Sequence, residues 1–153
     1  MSHFQKLLFE YDEMIAGTMH KYGFLLLRYS LALVFIWFGL LKPLGLSPAA
    51  DLVASTAFWL NPDWFIPFLG WWEVLIGVLM LFKSTIRLSI LLLFLQMPGT
   101  FMPIFILPDV VFTSAPFGLT MEGQYIIKNM TLIAAAIAVG GTVNKPDSDQ
   151  ELH

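Results

Sequence analysis

Four stretches of this chain, 22–41, 64–82, 86–107 and 121–143, are apolar over about the 20 residues that a helix needs to cross a bilayer. Three of them carry a polar group among the apolar ones: Glu73 in the second, Gln96 in the third and Lys128 in the fourth. That combination narrows the fold sharply. In hydrocarbon every backbone N–H and C=O needs an internal partner, so segments of this kind form helices. An ionisable side chain at such depth is costly, and by default it marks a site that faces other helices rather than lipid. The expected fold is all-α, an integral membrane four-helix bundle with a polar interior.

Composition points the same way. Charged residues make up 12% of the chain and hydrophobic residues 58%, against about 25% charged in soluble domains. With a net charge of −3 and no basic cluster, nucleic acid is not an expected partner, whereas the lipid bilayer is. The absence of cysteine excludes thiol–disulfide chemistry by this chain alone and any cysteine-held iron–sulfur cluster. His3, His20 and His153 lie outside the apolar stretches, so neither haem nor a histidine-held metal is expected between the helices.

Residues 1–21 place Phe4, Leu7, Leu8, Tyr11, Ile15 and Met19 at helical spacing, with Lys6, Glu10 and Glu13 elsewhere on the wheel. This predicts an N-terminal amphipathic helix, either lying on the membrane surface or capping the bundle. Its acidic residues argue against a cleaved signal peptide. Lys42-Pro43 is expected to end the first span. Ser47-Pro48 opens a short outer-face helix over 48–60, which Asn61-Pro62 stops. The tight turn at Lys83-Ser84-Thr85 makes the second and third spans antiparallel neighbours. Pro98, Gly99 and Pro103 predict that the third span is broken beside a cavity. An irregular loop follows over 108–120, Thr120 caps the last helix, and the acidic tail 144–153 is expected to be disordered. Lys6, Lys21, Arg28, Lys83, Arg87 and Lys145 fall on one side of the membrane, against Lys42 and Lys128 on the other. That bias places both termini in the cytoplasm.

At about 1.5 Å per residue, Glu73 and Lys128 lie roughly 9 and 12 Å below the outer surface, with Gln96 near mid-membrane. The candidate site takes Glu73 as a proton-handling carboxylate and Lys128 as its counter-charge. Gln96 and Tyr125 supply hydrogen bonds, Trp71 and Trp72 form walls, and Lys42 stands at the outer end of the first span as a further binding group. Such a pocket suits a flat, partly polar molecule such as a quinone headgroup, or a proton relay. The same residues also read as a structural ion pair, Glu73 with Lys128 or Lys42, that fixes helix register. Gly39 and Gly77 read as points of close helix packing.

Three runs carry a family resemblance: Arg28-Tyr-Ser-Leu-Ala-Leu-Val-Phe-Ile-Trp-Phe-Gly39-Leu-Leu-Lys42, Gly70-Trp-Trp-Glu73-Val-Leu-Ile-Gly77, and Gly123-Gln124-Tyr-Ile-Ile-Lys128-Asn129. In these the chain resembles the DoxX-like superfamily of small four-helix membrane proteins, including relatives linked to reactive-chlorine resistance. The resemblance implies a multi-pass bundle in a bacterial-type inner membrane, with Arg28, Lys42, Glu73 and Lys128 among the family's characteristic polar positions. It implies a quinone-linked or oxidative-stress redox role. Members are also associated with thiosulfate–quinone oxidoreduction and terminal oxidase assemblies. The alternatives are a non-catalytic subunit or assembly factor of a larger membrane complex, a homo-oligomer, and a small-solute or proton carrier. Lacking cysteine, the chain departs from any thiol-using version of the family.

Overall fold

The computed structural model describes residues 3–143; the acidic tail expected over 144–153 lies outside them. The chain is mostly helical. Three of its helical stretches, Leu8–Leu41, Pro62–Leu81 and Lys83–Ile106, are long and apolar enough to cross a membrane.

Helix α1 runs without interruption from His3 to Leu41. The amphipathic segment and the first span, expected as two elements, are therefore one helix of 39 residues, about 58 Å long. Nothing between them stops a helix, since Gly17 and Gly23 are tolerated in a helix interior. The C-terminus of α1 closes in a Schellman arrangement. Gly45, at φ 69°, donates to the carbonyl of Lys42 (3.1 Å), and Leu46 donates to that of Leu41 (2.9 Å). Lys42 thus belongs to the last turn of the helix and shares its geometry.

Helix α2 covers Ala50–Thr56, shorter than the 48–60 expected. Ser47 caps no helix; its hydroxyl accepts from the Ala49 N–H instead. Asn61-Pro62 begins α3, Pro62–Leu81, rather than merely ending what precedes it. The Asn61 side chain accepts from the Asp63 N–H at 2.9 Å, and Pro62 takes the first helical position. A short 3₁₀ turn, Lys83–Thr85, leads into α4, Ile86–Phe101.

Helix α4 passes straight through Pro98 and Gly99, so the break expected there does not form. The only interruption comes at Met102, which keeps helical dihedrals (φ −54°, ψ −38°) before α5, Pro103–Ile106. An interior proline removes one donor and crowds the carbonyl four residues earlier, a cost that long apolar helices accommodate by local adjustment and neighbouring groups. The segment expected as irregular loop holds structure of its own. It contains α6, Pro108–Val111, and an antiparallel hairpin of β1, Phe112–Ser114, and β2, Gly118–Leu119. Thr120 caps α7, Met121–Ile127, accepting from the Gly123 N–H at 3.1 Å. Lys128 separates α7 from α8, Asn129–Gly141.

The core lies between α1, α3, α4 and α8, around Leu31, Phe35, Ile76, Met80, Leu93 and Val139. Glycines set how closely α1 and α3 approach. A Cβ on Gly39 would meet the Gly70 carbonyl at 2.7 Å, and one on Gly77 would meet the Ala32 carbonyl at the same distance. Apart from the contact at Glu73 described below, the Ser89 hydroxyl of α4 donates to the Ile76 carbonyl of α3 (2.7 Å), and the Trp72 indole N–H of α3 donates to the Leu92 carbonyl of α4 (3.3 Å).

Candidate functional site

Gly70, Glu73 and Gly77 recur every three or four residues, so they share one face of α3, and the glycines press that face against α1. On α1, Gly39 and Lys42 are likewise three apart. The Lys42 Cβ and the Pro43 ring pass directly over Gly70, where a Cβ would meet them at 2.7 and 2.6 Å. This close approach delivers the Lys42 ammonium to Glu73. The two form an ion pair through Glu73 Oε2, with side chains only 8% and 12% exposed.

Gln96 reaches the same carboxylate from α4. Its Nε2 donates to Glu73 Oε1 at 2.7 Å. Both carboxylate oxygens are thus engaged, one by a cation and one by an amide. A carboxylate only accepts, so the Gln96 amide must present its NH₂ to Glu73 and turn its oxygen away. That oxygen, Oε1, is buried and finds no hydrogen-bond donor among the described residues. An unsatisfied buried acceptor costs about 1–3 kcal/mol, so the cluster is one donor short. Lys42 has the opposite surplus, since an ammonium carries three N–H donors and one of them meets Glu73.

The other predicted site residues go elsewhere. Lys128, expected as the counter-charge of Glu73, is exposed, and its ammonium stands 3.7 Å from the centre of the Tyr125 ring and 5.9 Å from that of Phe38. The physical reason is azimuth: Lys128 keeps helical dihedrals (φ −61°, ψ −19°), so it lies one turn after Tyr125 on the same exposed face. Lys128 and Tyr125 satisfy one another on the outside of the bundle, as cation and ring. Trp71 points outward and is 58% exposed, while Trp72 is tied to Leu92 between α3 and α4 and serves as packing. An apolar groove of about 390 Å³, lined by Phe101, Met130, Ile133, Ala134 and Ile137, contains none of the predicted site residues. Replacing Lys128 by methionine is accordingly expected to leave the thermal stability and any Glu73-dependent property within about 0.5 kcal/mol of wild type. Detergent-solubilised melting curves of the two proteins would check this.

Gly70 and Ser89 were missed as contributors. The signal for Gly70 was available, because a glycine three residues before Glu73 and another four after it mark a helix face made for close contact. The cluster of one carboxylate, one ammonium and one amide can exchange a proton with, or hydrogen-bond, a small hydroxyl-bearing group. Among the described residues no group of histidine, cysteine or acidic side chains is placed to hold a metal ion. No family model, no curated protein and no solved structure matches this chain.

Proposed function

We propose that this is a DoxX-like, four-span protein of a bacterial-type inner membrane with both termini cytoplasmic. In this reading its Lys42–Glu73–Gln96 cluster is the hydrogen-bonding site of a quinone-linked, oxidative-stress-related redox component. The observation that carries it is the buried Gln96 oxygen without a donor, beside an ammonium with donors to spare. A hydroxyl satisfies both at once, donating to Gln96 Oε1 and accepting from Lys42. The reduced, hydroxyl-bearing form of a quinone has that chemistry, whereas the oxidised form only accepts. Gln96 and Lys42 would therefore hold the headgroup, and Glu73 would keep the ammonium oriented and take or return a proton. When bound, such a group supplies two-electron redox chemistry that this side-chain set lacks.

The test is mass spectrometry of lipophilic molecules that co-purify in mild detergent. The wild type is compared with the double variant Lys42→Met/Glu73→Gln, which removes both charges together and so keeps the helices packed. The expected result is near-stoichiometric quinone in the wild type and at least a tenfold depletion in the variant. Quinone at no more than its bulk membrane ratio in both preparations would leave the cluster as a structural pair.

A further inference from the structure

Around the axis of α1, at about 100° per residue, Arg28 falls within roughly 40° of Ala32, Phe35, Gly39 and Lys42. Ala32 and Phe35 are buried in the core, so this is the face that α1 turns towards the bundle. Along it α1 and α3 run antiparallel, Gly39 lying against Gly70 and Ala32 against Gly77. One turn further, Arg28 comes level with Leu81, the last residue of α3, and with the Lys83–Thr85 turn. A guanidinium thus leaves the packed face of the helix at the end of the bundle remote from Lys42, Glu73 and Gln96.

Its donors outnumber its partners. A guanidinium carries several N–H donors in a fixed fork. Among the described residues only the Tyr29 hydroxyl accepts from it, meeting Nη2 at 3.2 Å. Nε is buried and finds no acceptor. The Tyr29 ring, its centre 4.9 Å from Cζ, attracts the charge but adds no further oxygen. No carboxylate answers the charge either. The sequence has no acidic residue between Met14 and Ala50, between Val74 and Pro108, or between Gly123 and Val143. The parts of α3, α4 and α8 at this end of the bundle fall within those limits. Lys83 and Arg87 add positive charge there.

A charge held partly out of water is stable beside an opposite charge. Water would meet an open N–H but leave the charge uncompensated. The group that fits is therefore an anion with several acceptor oxygens, placed where the spans end. Phosphate has that chemistry, since its oxygens match the guanidinium fork. It is also at hand, because basic pockets between helices at the edge of a bilayer take phosphate headgroups. Arg28 is half-buried and Tyr29 exposed, so the terminal nitrogens reach the surface. A small turn of the side chain brings Nε to the same ligand. We propose that Arg28 is the centre of a phosphate-binding site at this end of the bundle, filled by a lipid headgroup or by free phosphate. The proposal rests on the bilayer-spanning part of the preceding reading and is independent of its redox part.

The delipidated full chain in detergent is titrated with dioleoylphosphatidylglycerol, with dioleoylglycerol and with sodium phosphate, and bound species are counted by native mass spectrometry. The expected result is one saturable phosphatidylglycerol and no dioleoylglycerol, which has the same tails without the phosphate. Arg28→Gln is expected to weaken that binding at least about tenfold, the scale of one charge-assisted hydrogen bond. Arg28→Lys keeps the charge and loses the fork. A loss of about threefold there keeps the test readable if Arg28→Gln folds poorly. Lys21→Gln, on the exposed half of α1, should change nothing. Sodium phosphate that displaces the lipid from wild type makes the free ion a ligand of the same site, and no displacement makes the ligand the headgroup. Equal lipid binding by wild type and both Arg28 variants would overturn the proposal, as would a wild type that binds phosphate in neither form. So would a chain lacking residues 144–153 that binds where the full chain does not, an outcome that gives Arg28 to the carboxylates of the acidic tail. Release of the protein by alkaline carbonate would instead count against the bilayer-spanning reading, and so separates the two failures.

Discussion

Replacing Lys42 by methionine is expected to destabilise the folded protein by about 3–5 kcal/mol, the usual consequence of leaving a buried charge without its partner. Methionine keeps the unbranched stem that passes over Gly70, so packing between α1 and α3 changes little and the loss reports on the charge. What remains is the Glu73 carboxylate, 12% exposed, held by the Gln96 amide alone. A buried ion pair differs from a buried single charge in a way that a mutant cycle exposes. Attraction between the partners offsets much of their dehydration, so removing both is far milder than removing either. Glu73→Gln added to Lys42→Met should therefore restore most of the lost stability, with a coupling energy of at least about 2 kcal/mol. Thermal unfolding of the four proteins in one detergent measures the cycle. Additive losses in the double variant would mean that the two groups are neighbours without being energetic partners. The double variant also has a second use. If it is folded but carries no quinone, the cluster binds a ligand as well as fixing register.

Three of the four apolar stretches were legible as long helices because length and hydropathy decide them. The fourth, expected as one helix over 121–143, is divided at Lys128 into α7 and α8. The polar residues inside the second and third stretches, Glu73 and Gln96, do meet. What depth could not give was direction around each helix axis. Counting along the sequence gives Glu73, Lys42 and Lys128 the same expected depth, so Lys42 and Lys128 were equally good partners on that measure. Azimuth separates them: Lys42 shares a face with Gly39, opposite Gly70 and Glu73, whereas Lys128 shares the exposed face of Tyr125, three residues earlier, and stands near Phe38. Prolines misled in two ways. Pro62 begins α3 because Asn61 caps it, and Pro98 sits within α4 without ending it. Proline fixes φ near the helical value and removes one donor, and neither property says which side of it the helix occupies. The continuity of α1 across residue 22 was hidden by the change from amphipathic to uniformly apolar sequence, which alters what the helix faces and leaves its backbone unaffected.

Gly70→Ala should destabilise the protein although it adds one methyl group and raises helix propensity. A Cβ at this position would lie 2.6 Å from the Gly39 carbonyl oxygen, 2.6 Å from Pro43 Cδ and 2.7 Å from Lys42 Cβ. None of these is the free end of a flexible side chain. A carbonyl oxygen, a proline ring and a Cβ move only if the α1 backbone moves with them, so α1 and α3 must separate by several tenths of an ångström. Overpacking of this sort costs about 1–3 kcal/mol, and the separation also stretches the Lys42–Glu73 pair that the contact positions. Gly70→Leu, which demands a larger separation, is expected to leave little folded protein. Gly99→Ala is the internal control. It lies within α4, and a Cβ there meets nothing within 4 Å, so the same chemical change should stabilise by up to about 1 kcal/mol through helix propensity alone. Opposite signs for the two alanine substitutions, read from unfolding in the same detergent, would establish that close approach of α1 and α3 holds the cluster together. Equal stabilisation by both would mean that α1 and α3 accommodate the methyl, and that Lys42 and Glu73 meet for some reason other than glycine-mediated contact.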